Sequence, residues 1–447
     1  MQGWQSLRSM QQVRLGLAGA GTVGGGVFQA LQRNGGLMSS RLGVGFKVTQ
    51  IAVRNLKRKR AVEIPNTLLT TDWRKMVESP NVDIVCELIG GTTLARELVL
   101  HALRLGKPVV TANKALLSAH GEELFAAAQN FGANLYYEAS VAGGIPIIKV
   151  LREGLVGNRI TRLYGIVNGT CNYILTRMKM EGADFVDVLE DAQRLGYAEA
   201  EPSLDVDGYD AAHKTGILAS LAHGFWVNPK DIYVEGIRQI TRLDIQFAEQ
   251  LGYTIKLLGI VKCASENSGK GCKIQVSVYP TLVPNTHVLA NVNEVFNAIY
   301  VRGDVVGDTL YYGRGAGQDA TASAVLSDLA DAALDRKCAA QHRVPPFVPH
   351  ERKGAVLDIQ DVVSRYYLRL SVVDKPGTLA KIAAILGQSR IGISSVIQPE
   401  GHEGESVPLI LMIHDAPNSA MTRALKRISA LGVVKADPVM IRVETFD

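Results

Sequence analysis

The chain is poor in cysteine, and the few cysteines it has form no recognisable framework. They number five, an odd count, and are scattered along 447 residues. No two have the close spacing of a zinc site, and the regular pattern of a disulfide-rich secreted domain is missing. The sequence therefore indicates a protein of the reducing cytoplasm. The cysteines are Cys86, Cys171, Cys263, Cys272 and Cys338.

Long apolar runs and strong charge of one sign are also missing. No uninterrupted apolar stretch of about 20 residues could span a membrane, and the N-terminus does not resemble a signal peptide. The 48 Lys and Arg are nearly balanced by 43 Asp and Glu, which leaves a net charge of +5. A membrane or nucleic-acid partner is therefore not expected. The one basic run, 57–60, is predicted to be a solvated loop or a phosphate contact.

The remaining composition is that of an ordinary globular protein, with 47% apolar and 20% charged residues. A chain of this length is too long for one hydrophobic core, so several domains are expected. The pattern predicts a first domain at 1–150, a second at 151–340, a proline-containing linker at 341–362 and a last domain at 363–447.

The first region alternates short apolar runs with helical periodicity, which predicts an α/β fold with a Rossmann-type, doubly wound parallel sheet. Strands are predicted at 13–18, 48–53, 84–89, 109–111 and 135–137, with helices at 94–105 and 122–131. The second region mixes longer helices (185–195, 209–222) with strands (160–167, 273–279), which predicts an α+β substrate and dimerisation domain. A helix near 320–335 is expected to return to the first domain.

The last region begins with alternating apolar residues in a strand, followed by a turn, 374–377, that leads into a helix. Two further strands around 391–397 and 407–413, a helix and a strand at 439–443 complete a βαββαβ order.

Residues 19–24 read G-x-G-x-x-G between a predicted strand and a predicted helix. Glycine permits the tight turn and the close approach of a pyrophosphate, and the helix N-terminus supplies free N–H groups. This context favours a dinucleotide site, although a glycine-rich turn without a ligand would have the same sequence.

The second strand should end near Val53, where NAD-binding proteins carry an acidic residue for the ribose. This chain has Arg54 and Asn55 there, with Lys57 nearby. Cations in this place favour NADP, since they can accommodate a 2′-phosphate. NAD stays open, because Asn55 could bond a ribose hydroxyl.

Two lysines are candidates for chemistry. Lys114 follows a predicted strand, at the sheet edge where doubly wound folds bind ligands. Lys214 lies four residues after Asp210 on a predicted helix that is mostly apolar, so the two share one face. A desolvated lysine loses its proton more easily, which suits proton transfer. The acidic run that leads up to Lys214 lacks the spacing of a calcium loop. An exposed ion pair is the alternative reading.

In order and spacing, several segments together resemble the homoserine dehydrogenase family, over roughly residues 13–335. They are 19–24, 87–91, 111–114, 138–146, 168–174, 196–214 and 313–317. The region 363–447 resembles an ACT domain, a small-molecule regulatory module. The resemblance implies reversible NAD(P)H-dependent reduction of L-aspartate 4-semialdehyde to L-homoserine, in threonine, methionine and isoleucine biosynthesis.

The resemblance also implies roles for individual residues. Lys214 would donate the proton to the aldehyde oxygen, with Lys114 as a second candidate or partner. Substrate groups would be bound by Glu199, Asp205, Asp210 and Lys114. The implied cofactor contacts are Gly19, Gly21, Thr22, Val23, Gly24, Arg54, Lys57, Gly91, Thr92, Lys114, Gly196 and Gly317.

The loop 138–146 resembles the family's monovalent-cation loop, in which backbone carbonyls would surround a sodium ion. The carbonyls would be those of Glu138, Val141, Gly143 and Ile145. A tight turn shaped by glycine and proline would have the same sequence.

Three further points stay open at the level of sequence. A different dehydrogenase of small amino or hydroxy acids would share the fold but would not need Glu199, Asp210 and Lys214 together. A catalytically inactive amino-acid sensor is a more distant alternative. The ACT-like region is expected to bind an amino-acid effector or mediate association, and a homodimer or homotetramer is expected.

Overall fold

The computed structural model describes residues 11–265, 272–339, 343–399 and 405–446. The first ten residues and the start of the predicted linker, 341 and 342, lie outside this part. Its helices are α1 Thr22–Leu42, α2 Trp73–Glu78, α3 Thr93–Arg104, α4 Lys114–Asn130, α5 Ile147–Lys149, α6 Gly169–Glu181, α7 Phe185–Arg194, α8 Ser203–Val206, α9 Tyr209–His223, α10 Arg242–Gln250, α11 Gln318–Lys337, α12 Thr378–Gln388 and α13 Asn418–Ser429. Among the described residues, no helix is both long and apolar enough to cross a lipid bilayer.

The first sheet is parallel throughout, and its strands run in the order β3-β2-β1-β4-β5-β6. The order changes direction on either side of β1, as in a doubly wound fold, so ligands are expected at the C-terminal strand ends there. The parallel sheet predicted from the sequence is confirmed. The strands are β1 Gln12–Ala18, β2 Gly45–Ala52, β3 Leu69–Thr70, β4 Ile84–Glu87, β5 Val109–Thr111 and β6 Leu135–Tyr136.

Helices cover both faces of this sheet and bury its apolar strands. Leu15 and Leu17 of β1 are fully buried in a core shared with α1 and α11. The helix α11 comes from far along the chain, yet its Val325 and Leu329 pack in the same core as Val27 of α1. One of the helices that cover this sheet, α11, therefore comes after most of the second region in the sequence.

The second sheet is mixed, with strands in the order β12-β11-β7-β9-β10-β17-β14-β16-β15, and β8 and β13 also pair with β10. Its long hairpin β9–β10 packs against α9 and α10. The strands are β7 Ile160–Ile166, β8 Tyr233–Val234, β9 Tyr253–Ser265, β10 Lys273–Pro284, β11 Phe296–Gly303, β12 Gly307–Arg314, β13 Ala355–Val356, β14 Val363–Val373, β15 Ile393–Ile397, β16 Ser406–Pro417 and β17 Val439–Val443.

The C-terminal region has the predicted order β14-α12-β15-β16-α13-β17. Neighbouring strands among its four are antiparallel, and their apolar face packs under α12 and α13 around Leu368 and Leu411. The opposite face buries Tyr367, Ile410 and Met412 in the core of the preceding region. A short parallel pairing of β17 with β10 joins these four strands to the rest of the second sheet.

Candidate active site

The turn between β1 and α1 is so tight that two of its positions exclude a side chain. Gly19 has φ +107°, and a Cβ there would lie 2.5 Å from the carbonyl oxygen of Leu88. A Cβ on Gly24 would lie 2.1 Å from the carbonyl oxygen of Gly19. Gly21 caps α1 in open space, with no acidic residue in the first turn. The free N–H groups of α1 therefore border a space suited to a pyrophosphate.

A cleft of about 520 Å³ begins at this turn and follows the C-terminal ends of β1, β2 and β4. The loop after β2 brings cations to it, and no acidic residue of the described chain is among its lining. Arg60 fixes the loop, because its guanidinium donates to the carbonyls of Asn55 at 2.7 Å and Arg58 at 3.0 Å. The cationic lining consists of Arg54, Arg58, Lys59 and Arg60.

Only part of the expected cofactor set lines this cleft: Gly19, Gly21, Thr22 and Arg54. Lys57 is exposed and outside the lining, and its backbone N–H donates to the Asn55 side chain at 2.8 Å where the loop turns. Gly317 caps α11 just before Gln318, which does line the cleft. The expected residues outside the lining are Val23, Gly24, Lys57, Gly91, Thr92, Lys114, Gly196 and Gly317.

A buried carboxylate joins the turn after β4 to the strand beside it. Glu87 is fully buried and accepts from the N–H groups of Ile89 and Gly90 and from the Thr111 hydroxyl at 2.6 Å. Burial raises the pKa of Glu87 in spite of these donors. Asn113 continues the connection by donating to the carbonyl of Gly91 at 2.7 Å. The network fixes the start of α4, where Lys114 lies, and sequence reasoning gave Glu87 no role.

The structure brings together the two lysines that the sequence separates by a hundred residues. Lys114 Nζ lies 2.9 Å from Asp210 Oδ1, and Lys214 Nζ lies 2.7 Å from Asp210 Oδ2. Lys214 also donates to the carbonyl of Val167 at 2.7 Å. Asp210 and Lys214 are 4% and 8% exposed. The predicted pair is therefore a nearly buried centre with one carboxylate between two ammonium groups, and not an exposed surface pair.

The N-terminal end of α9 contributes to the electrostatics of the Lys114–Asp210–Lys214 centre. Asp210 lies in the first turn of α9, where the helix dipole favours an anion. Burial opposes its charge, but Lys214 and Lys114 hold the pKa of the Asp210 carboxyl far below its ordinary value. Burial also opposes the charge on Lys114, yet Asp210, helped by Asp205 and Glu199, raises the pKa of that ammonium. The carboxylate and the first lysine thus stay charged at neutral pH.

Asn168, the cap of α6, completes the centre and was not singled out by the sequence. Its Nδ2 donates to Asp205 Oδ1 at 2.7 Å and to Asp210 Oδ2 at 2.9 Å. Burial and the nearby Asp210 raise the pKa of Asp205, while the bond from Asn168 lowers it. An Asn before Gly-Thr is a helix-start signal, but nothing local indicates the carboxylates it reaches.

Two expected residues lie on the open side of the site. Glu199 is exposed on the loop between α7 and α8, and the structure gives its carboxylate no hydrogen bond among the described residues. Its backbone carbonyl accepts from Gln193 at 3.0 Å, which ties the loop to α7. Gly196, with φ +78°, begins the same loop. The loop thus leaves a carboxylate facing solvent near Lys114.

The loop 138–146 is held at several points. The Glu138 carboxylate accepts from the N–H groups of Ile148 and Lys149, and burial raises its pKa to about 7. The N–H groups of Gly143 and Gly144 donate to carbonyls of the 313–317 segment. Within the described residues, the carbonyl of Ile145 accepts a backbone N–H, whereas none is found on those of Val141 and Gly143. The described chain holds no cluster of His, Cys, Asp and Glu suited to a metal ion.

Comparison with known proteins settles the family. A family model described as homoserine dehydrogenase matches residues 146–330, and one described as its NAD binding domain matches residues 19–138. The homoserine dehydrogenase of Pseudomonas aeruginosa is 46% identical over 98% of this chain and 100% of its own length. The chain belongs to the homoserine dehydrogenase family. The Bacillus subtilis homoserine dehydrogenase, at 39% identity over 97% of this chain and 99% of its own, agrees.

Solved homoserine dehydrogenases have the same fold. The Thiobacillus denitrificans structure superposes with a TM-score of 0.91 at 46% identity and covers 98% of this chain and 99% of its own. A hyperthermophilic archaeal homoserine dehydrogenase in complex with NADPH gives 0.60 at 28% identity, over 73% of this chain and 98% of its own. The predicted enzyme class, an NAD(P)-dependent homoserine dehydrogenase, is thereby confirmed, and a nicotinamide cofactor is supported.

Proposed function

We propose that the chain reduces L-aspartate 4-semialdehyde to L-homoserine with NADPH, reversibly, in the cytoplasmic synthesis of threonine, methionine and isoleucine. The observation that carries the proposal is the Lys114–Asp210–Lys214 centre, which combines a buried proton donor with a fixed counter-charge. The dinucleotide would lie in the cleft at the glycine turn. Tight packing at Gly19 and Gly24, open space at Gly21 and a cationic lining fit a phosphate-bearing ligand.

Lys214 would act on the carbonyl oxygen of the aldehyde. Its ammonium has three N–H donors, and two point to Asp210 and the Val167 carbonyl. The third is available to a substrate oxygen, so Lys214 would stabilise the developing alkoxide and protonate it. When bound, the nicotinamide supplies the hydride. Lys114, the second candidate donor, would orient the substrate through its charge.

The acidic residues would recognise the substrate's ammonium group. Asp205 and the exposed Glu199 present carboxylate oxygens that the lysines do not occupy. Asp210 would bind the substrate hydroxyl, and its ion pairs with the two lysines would hold it in position for this contact. A substrate that lacks the amino group would leave these carboxylates unpaired, so its kcat/KM would fall.

Substrate comparison tests this proposal. Cofactor reduction by the wild-type chain should be fast with homoserine and at least about 100-fold slower with 4-hydroxybutyrate, which lacks the ammonium, since loss of a charged hydrogen bond and an unpaired carboxylate together cost a few kcal/mol. Equal rates with the two would contradict the assigned acidic site and favour another hydroxy-acid dehydrogenase.

Arg54 is proposed to select NADP over NAD. Replacing it with alanine should raise the Kd for NADPH about tenfold, because a contact to the 2′-phosphate is lost, and leave the Kd for NADH within about twofold. Fluorescence titration measures both. The control is Lys75→Ala, an exposed lysine of α2 that does not line the cleft. Equal effects on both cofactors would contradict the selection.

A sodium ion is proposed at the carbonyls of Glu138, Val141, Gly143 and Ile145. Among the described residues, the carbonyls of Val141 and Gly143 accept no backbone N–H. Hydrogen bonds to the 313–317 segment hold the turn in place. Both features fit a hard cation with oxygen ligands. The ion would stabilise the loop and take no part in the reaction.

The C-terminal unit 363–447 is proposed to be an ACT domain that binds an amino-acid effector, with threonine as the natural candidate. The division into 1–150, 151–340, a linker at 341–362 and this unit is proposed with it. The turn 374–377 offers backbone N–H groups at the start of α12. A homodimer or homotetramer is also proposed, and the exposed Leu310 and Tyr312 on the outermost strand β12 fit such a contact.

We propose that two ion pairs, each with one buried partner, couple this unit to the catalytic centre. Arg442 of β17 is fully buried and donates to Glu235 at 3.0 Å. Two residues on, the N–H of Ile237 donates at 2.8 Å to the carbonyl of Val206, the neighbour of Asp205. Arg369 of β14 holds Asp244 farther along the same segment. A shift of the C-terminal unit would therefore move Val206 and the neighbouring Asp205.

Glu235→Gln should weaken this coupling. The effect of threonine, methionine or isoleucine on kcat/KM for homoserine should fall at least about threefold, while calorimetric affinity for the amino acid stays within about twofold. Glu444→Gln is the matched control, because its ion pair with Lys262 also joins the C-terminal unit to β9 but does not involve the 233–244 segment. An equal loss in both variants would contradict the route, and no binding of any of the three would leave only an association role.

A further inference from the structure

Every polar atom of the Asn168 side chain is in use, although the residue lies at the catalytic centre. Its Oδ1 accepts from the N–H of Cys171 at 2.8 Å, which caps α6. The two hydrogens of Nδ2 go to Asp205 and Asp210, and the residue is 4% exposed. A helix cap requires only the oxygen, so capping does not explain the two hydrogen bonds that the amide nitrogen donates.

The amide bridges two carboxylates that would otherwise repel each other. Asp205 belongs to α8 and Asp210 to α9, and both come within hydrogen-bond distance of one nitrogen. Asp210 has two lysines to balance its charge, whereas no ion pair of the described residues involves Asp205. Like charges at such separation repel strongly at low dielectric unless a donor lies between them.

The bond to Asn168 also fixes which oxygen of Asp205 remains for a ligand. Oδ1 is held by the amide, and among the described residues Oδ2 has no hydrogen bond. A half-buried carboxylate oxygen left without a donor is a site for a cation. The substrate's ammonium is the group of matching charge.

We propose that Asn168 is a positioning residue for the reaction, whose amide bridges Asp205 and Asp210 and turns one oxygen of Asp205 toward the substrate's ammonium. This inference rests on the proposed function, since it takes the acidic residues as the substrate site. Asn168 itself touches neither the substrate nor the reacting atoms.

Loss of the amide should change the titration of Asp205, because its hydrogen bond favours the charged carboxylate. Two kinds of neighbour face Asp205: the cations favour the charged form, and the other acidic groups oppose it. These neighbours are Lys114 of α4, the Cys171 thiol of α6, and Asp210 and Lys214 of α9.

The test compares Asn168→Ser and Asn168→Asp with Asn168→Ala. Ser and Asp keep an oxygen for the Cys171 N–H and are good helix caps, but neither donates to both carboxylates. The expected result is a fall in kcat/KM for homoserine of at least about 30-fold in both, mostly through KM, with the Kd for NADPH unchanged. The acidic limb of the pH profile should move up in the Ser variant and further in the Asp variant, which adds a negative charge.

A purely structural role predicts a different pattern. If Asn168 only caps α6, then Asn168→Ala lowers Tm while Asn168→Ser and Asn168→Asp keep wild-type kinetics and pH profile, and the inference is overturned. If the Ser variant does not fold, the Asp variant decides by the same readouts. An inactive wild type overturns the proposed function as well, so the two failures are distinguishable.

Discussion

Lys214→Ala is expected to lower kcat for homoserine oxidation by at least about 100-fold, near the low end for removal of a general acid–base group. The side chain is nearly buried, and its remaining N–H is the donor proposed for the substrate oxygen. Its removal also leaves Asp210 with one lysine instead of two. Initial rates from the absorbance of reduced cofactor, at saturating homoserine and NADP, measure the effect.

The control for this variant is cofactor affinity. Lys214 does not line the cleft, so the Kd for NADPH should stay within about twofold of the wild-type value. A matching loss of NADPH binding would show a general disturbance of the fold. A kcat within about threefold of the wild-type value would remove Lys214 from the chemistry.

Gly21→Ala is expected to abolish most cofactor binding without harm to the fold. Gly21 has φ −79°, which alanine adopts freely, and no atom lies within 4 Å of a Cβ built there. The methyl group would instead occupy the space where the pyrophosphate approaches the backbone. The Kd for NADPH should rise at least tenfold, about 1.4 kcal/mol or more, while Tm stays within about two degrees.

Gly35→Ala is the matched control on the same helix. It also has open space around a Cβ, but it lies well inside α1, far from the turn. Alanine there should leave NADPH affinity unchanged and raise stability by about 0.5–1 kcal/mol. If Gly21→Ala binds NADPH as the wild type does, the cofactor does not lie at this turn.

Local patterns account for what the sequence predicted well. The strand, glycine turn and helix at the start of the chain lie within thirty residues and have strong periodicity, so β1 and α1 were found. The two-residue strand β3 and the short helix α2 were missed, because neither is long enough to show a period. The sequence also does not indicate which cations of the basic run line the cleft. The loop geometry depends on hydrogen bonds from Arg60 to backbone carbonyls.

Contacts between residues far apart in the chain cannot be predicted from local sequence patterns. Lys114 and Lys214 were both identified, but their meeting on Asp210 depends on how α4 packs against α9. The helix signal at Asn168 was readable, whereas its bonds to Asp205 and Asp210 join three separate elements. The pairing of β17 with β10 spans only two residues of each strand and has no local signal.

The most direct test of the account compares Lys214→Ala with Lys114→Ala in homoserine oxidation, beside the wild type. The account predicts an active wild type, a kcat reduced at least about 100-fold by Lys214→Ala, and a smaller loss with a raised KM in Lys114→Ala. An active Lys214→Ala beside an inactive Lys114→Ala would contradict it and transfer the proton to Lys114.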